Sequence, residues 1–147
     1  MQTLIHQPRS GPARTFSPMA SSGSRPFAQG KDRRTDARAC RLAIAIAGAL
    51  CDVEIEDIAA PNRSSAHVCE ARHIAMYLAH VVFQVSLIRS GAAFGRDRTS
   101  VSHAVRRIED GRDDPRFDAR IERLETLARS VGHALAVDET GEGRARS

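Results

Sequence analysis

Apolar positions recur at helical spacing along the chain from about residue 35 onward, and their phase predicts where helices lie. Ala39, Leu42, Ala43, Ile46 and Leu50, widened by Ile44 and Ala47, form one stripe. It predicts a helix that Thr35 or Asp36 caps and that ends near Cys51. Residues 52–58 then read as an extended entry and a short helical turn closed by Pro61, and residues 62–68 as a polar loop carrying Arg63, Ser64, Ser65 and His67. Ala71, Ile74, Ala75, Leu78, Ala79 and Val82 predict a helix over residues 70–84, with Arg72, His73 and His80 outside its inner stripe. Tyr77, the single tyrosine, is expected to pack with its hydroxyl at the rim. Near the C-terminus Asp114 and Pro115 can open another helix, in which Phe117, Ile121, Leu124, Leu127, Ala128 and Val131 keep helical spacing to about Gly132. Its Arg116, Arg120, Arg123 and Arg129 alternate with Asp118, Glu122 and Glu125, which predicts a solvated amphipathic helix able to cap a bundle or pair with a second copy through 115–131.

The stretch over residues 86–108 is the most informative. A short helix opens on the hydroxyl residue Ser86 and stops at Phe94-Gly95, since glycine alone enters left-handed backbone space without steric cost. A second helix starts near Asp97 or Thr99. Its Val101, Ala104, Val105 and Ile108 fall on one stripe, while Thr99, Ser100, His103, Arg106 and Arg107 fall opposite. The outer face carries positive charge and no carboxylate, a surface suited to a polyanion. Helix, tight turn, then a helix with a polar basic face is the helix-turn-helix arrangement.

The residues of both blocks, Glu70-Ala71-Arg72-His73-Ile74-Ala75-Met76-Tyr77-Leu78-Ala79 and then Ser86-Leu87, Ala93-Phe94-Gly95-Arg96-Asp97-Arg98-Thr99-Ser100-Val101 and His103-Ala104-Val105-Arg106-Arg107-Ile108-Glu109, resemble the C-terminal DNA-binding domain of the bacterial replication initiator DnaA. The likeness is collinear over about forty residues and extends to about half of the chain with the flanking helices. It implies that Asp97, Arg98, Thr99 and Ser100 read base edges and that His103 and Arg106 lie along the groove. It also implies that Arg63, Arg72, His80 and the Ser86 helix start hold phosphates, with Arg96 and Arg107 completing the DNA-contacting set. The chain departs from the family in having one glycine before Arg96-Asp97 where the family has two. Arg98 stands in place of histidine, Ser100 in place of threonine and His80 in place of lysine. Glu70 replaces the arginine that in the family enters the minor groove, and its charge is expected to oppose the phosphates. Arg98 in place of histidine implies a preference for guanine, whose O6 and N7 fit an arginine fork.

Composition narrows the rest. The chain has 147 residues, 41% hydrophobic but only 4% aromatic, so the core is expected to be aliphatic and single. The net charge is +4, and all basic residues but Lys31 are arginine. Residues 1–34, rich in Pro, Ser, Gly and Arg, are expected to form a disordered basic extension. The domain is expected to span 35–132, with an added C-terminal helix, and 133–147 to be a polar tail. Cys40, Cys51 and Cys69 make no C-x-x-C pair, and the six histidines lack H-x-x-x-H spacing, so reduced buried thiols and no metal site are expected. There is no apolar run of membrane-spanning length and no signal-peptide order, which predicts a cytoplasmic, nucleoid-associated protein. Without a G-x-x-x-x-G-K-[ST] loop no nucleotide triphosphate site is expected, nor any other cofactor. Ser100 and His103 share an exposed face without an orienting carboxylate, so the chain reads as a non-enzyme. The expectation is therefore an all-α small helical bundle whose helix-turn-helix binds double-stranded DNA specifically, in replication initiation or transcription. The rival is a protein-interaction module that kept the fold, which Glu70 and the shortened turn favour.

Overall fold

The helix that opens at Ala66 is buried on nearly every side from Ala71 onward, and the other elements are arranged around it. The structure, a computed structural model, describes the backbone of residues 29–141 and the side chains of residues 33–136. In order the elements are α1 (Gln29–Cys51), α2 (Ile55–Ala59), α3 (Ala66–Tyr77) continued by a π-helical turn (Leu78–Val82), α4 (Leu87–Ala93), α5 (Arg98–Gly111) and α6 (Pro115–Gly141). Among the described residues every element is helical, as the periodicity predicts, and no helix is long and apolar enough to cross a membrane. α1 and α5 pack on α3, α4 bridges α1 and α5, and α6 lies along α1 and the π turn. Ile58, Ile74, Leu78, Val85, Val101, Ile121 and Leu124 fill the shared core.

Several boundaries and faces differ from the periodicity. α1 begins at Gln29, so Thr35 and Asp36 do not cap it. The Asp36 carboxylate instead pairs with Arg89 and ties α1 to α4. Residues 29–34 of the expected extension belong to α1, and residues 1–28 lie outside the described residues. The buried face of α1 centres on Cys40, Ala43, Ile44, Ala47 and Cys51, which leaves Leu50 49% exposed at the edge of the predicted stripe. α1 stops where Asp52 takes a left-handed φ of 55° and the Val53 amide returns to the Gly48 carbonyl at 3.0 Å. A Cβ on Gly48 would stand 2.8 Å from the Val53 carbonyl oxygen, so the closure needs glycine. α3 starts four residues before the predicted position because the Ser65 hydroxyl accepts the Val68 amide and caps it there. The loop thus ends at Ser65, and His67 belongs to the helix, its Nε2 donating to the Cys51 carbonyl at 2.6 Å. α6 continues past Gly132 to Gly141, through much of the expected polar tail, and Leu127 on its predicted stripe is 41% exposed.

The π turn returns the Phe83 amide to the Leu78 carbonyl at 3.0 Å. Phe83 then lies against Gly132 of α6, where a Cβ would come within 2.9 Å of the ring. The Tyr77 hydroxyl is not at the rim. It donates to Glu125 Oε1 at 2.6 Å and accepts from Arg112 Nη1 at 2.9 Å. Arg112 also reaches Glu125 at 2.7 Å and Asp118 at 2.6 Å. Burial raises the Glu125 carboxyl, but the hydrogen bonds from Tyr77 and Arg112 outweigh it and hold the group below its ordinary value. This network joins α3, the end of α5 and α6, and so fixes α5 against the rest of the bundle.

Candidate nucleic-acid interface

α4 opens on Ser86, whose hydroxyl accepts the Arg89 amide at 3.3 Å, and closes at Gly95 with φ +61°. Between them Gly91 lets the chain fold back tightly. A Cβ there would meet the Arg96 carbonyl oxygen at 2.7 Å and Asp97 backbone carbon at 3.2 Å. The single glycine at the turn therefore suffices, because the close approach is made by Gly91 and the left-handed residue is Gly95. Asp97 caps α5 by accepting the Ser100 amide at 2.6 Å, and that bond lowers its carboxyl below the ordinary range.

α5 buries Val101, Ala104, Val105 and Ile108, as its sequence predicts. Arg98, Thr99, His103, Arg106 and Arg107 are exposed and Ser100 is half-buried. No carboxylate lies between Asp97 and Glu109, so this face is basic along its length. A groove of about 880 Å³ runs beside it, lined by His103, Arg106 and Arg107 of α5 and by Glu70 and His73 of α3. The His73 and His103 rings stand edge to face with centroids 6.2 Å apart. Burial, then the Arg107 and His103 charges, lowers the basicity of His73.

The expected phosphate-holding residues divide. Arg63 is exposed on the loop after α2. Arg72 is not available to solvent. It is 6% exposed, and its guanidinium donates to the Ile58 and Asp57 carbonyls, both at 2.8 Å, and to Ser64 Oγ at 2.9 Å. The inner stripe left it outside because helical phase says nothing of the short helix that covers that side. Arg96 is half-buried and donates to the Pro61 carbonyl at 3.1 Å. His80 is half-buried, and its Nδ1 donates to the Val85 carbonyl at 2.8 Å, which leaves Nε2 as the remaining ring nitrogen. Glu70 does not stand as a free negative charge, because Arg120 of α6 donates to it at 2.7 Å. That partner lies 50 residues away and no local pattern could reveal it.

Residues 44–108 match the family model of the bacterial DnaA protein helix-turn-helix. A crystal structure of a DNA replication initiation factor superposes on 68% of this chain with a TM-score of 0.62 and 32% sequence identity. The chain spans 31% of the length of that protein.

Proposed function

We propose that the protein binds double-stranded DNA sequence-specifically, with α5 in the major groove; the match of residues 44–108 to the family model of the bacterial DnaA helix-turn-helix supports this reading. The observation that carries this reading is the exposed face of α5, which presents Arg98, Thr99, His103, Arg106 and Arg107 without a carboxylate among them. Asp97, Arg98, Thr99 and Ser100 lie at the end of α5 that enters the groove, and Arg98 reads guanine. His103 and Arg106 lie along the groove, and Arg63, His80, Arg107 and the Ser86 start of α4 contact phosphates. Arg72 does not, because its donors are engaged within the protein. The role in the cell is regulation of replication initiation or of transcription, as the kinship to an initiation factor suggests. A second copy of the chain pairs along the face of α6 on which Leu127 is exposed.

The test is selection of bound fragments from random duplex DNA, followed by titration of a selected and a scrambled site at two salt concentrations. Specific binding leaves a difference between the sites that persists as salt rises. Arg98→Ala should relax the preference at one base pair by about 1–3 kcal/mol. Equal affinity for both sites in the wild type, vanishing with salt, would instead favour a protein-interaction module.

A further inference from the structure

Arg72 and Arg96 reach the same short loop from two sides. Arg72, on α3, bonds the Asp57 and Ile58 carbonyls of α2 and the Ser64 hydroxyl, and that hydroxyl donates onward to the Asn62 carbonyl at 3.2 Å. Arg96, in the turn between α4 and α5, bonds the Pro61 carbonyl. The exposed Arg63 sits between these anchors. We propose that Arg72 and Arg96 are positioning residues that hold the 61–65 loop in register with α5, so that Arg63 meets the phosphates of the duplex that α5 reads. This rests on the DNA-binding reading above and adds a preformed second contact to it.

Stability alone does not explain the arrangement. Two guanidinium groups are brought near each other, and after burial the Arg96 charge is the largest influence lowering the basicity of Arg72. The Nε of Arg96 is buried and has no hydrogen-bond partner. Like charges and an unpaired buried donor both destabilise the free protein, whereas an approaching polyanion relieves the repulsion. Arginine is needed at position 72 because one planar fork serves three acceptors at once. A lysine ammonium keeps the charge but is a single point.

The test measures the salt dependence of affinity for a selected duplex with wild type, Arg63→Ala, Arg72→Lys and the double variant. Arg63→Ala should reduce the slope by about one unit, the loss of one phosphate contact. Arg72→Lys should cost the same although it keeps the charge, and the double variant should lose no more than either. Ser64→Ala, which removes only the hydroxyl between Arg72 and the Asn62 carbonyl, should reproduce the effect if Arg72→Lys fails to fold. Faster amide exchange at residues 62–64 should accompany the loss. Unchanged slopes in Arg63→Ala, or additive losses in the double variant while the wild type binds, overturn the positioning role alone. Absence of duplex binding by the wild type overturns the DNA reading and the positioning role with it.

Discussion

Replacing Tyr77 by phenylalanine removes one oxygen from the network between α3 and α6. The lost hydroxyl donates to Glu125 and accepts from Arg112, while the direct Arg112–Glu125 contact at 2.7 Å remains. Hydrogen bonds to charged groups contribute about 1.5–3 kcal/mol each, and the surviving ion pair keeps both partners largely satisfied, so a net loss of about 2–3 kcal/mol is expected at neutral pH. In a domain of this size that lowers the thermal midpoint by roughly 10 °C. A second signature follows from linkage. Burial first, then the hydrogen bond and charge of Glu125, push the phenol up to about 12, with Arg112 opposing them. A folded value above the unfolded one means that the contribution is complete below pH 10 and is lost as pH rises from 10 through 12. Two pH units correspond to about 3 kcal/mol. The chain has one tyrosine and no tryptophan, so phenolate absorbance follows this group alone. Cys40, raised by burial and then by Asp36 to about 11, weakens both proteins in the same alkaline range and cancels in their comparison. The assay is denaturant unfolding of both proteins at pH 7, 10 and 12, with phenolate titration of the folded wild type. The wild type should lose about 3 kcal/mol more than Tyr77→Phe across that interval. A titration midpoint near 10 in protein that remains folded, or unchanged stability of Tyr77→Phe at pH 7, would show that the hydroxyl does not join Glu125 and Arg112 in this way.

Val105 lies on the buried stripe of α5 and Arg106 on its exposed face. Val105→Asp should unfold the domain, since an unpaired buried carboxylate costs several kcal/mol, while Arg106→Ala should stay within about 0.5 kcal/mol of wild type. Equal circular-dichroism melts for the two variants would show that the assigned phase is wrong. Gly91→Ala should cost about 1–3 kcal/mol or more, because the new Cβ meets backbone of residues 96–98 rather than a movable side chain. Gly95→Ala meets nothing within 4 Å and should cost about 1 kcal/mol for its left-handed φ alone. Thermal melts of the pair check the order, and a larger loss at Gly95 would contradict the turn geometry.

The short-range features of the chain were legible without the fold. Val101, Ala104, Val105 and Ile108 are buried where their spacing places them, and Ser86 and Asp97 cap the helices that follow them. These features depend on contacts three or four residues apart, so the covalent chain alone brings the partners together. The fate of long polar side chains was not legible. Arg72 occupies an outward phase on α3, yet α2 and Ser64 cover it. Glu70 receives Arg120, and the Tyr77 hydroxyl meets Glu125 and Arg112, across 35 to 50 residues. Leu50 and Leu127 lie at helical spacing but at the edges of their faces, where no neighbour covers them. A helical repeat specifies which residues share a face, but only the packing of remote segments decides whether that face meets water, a carbonyl or an opposite charge.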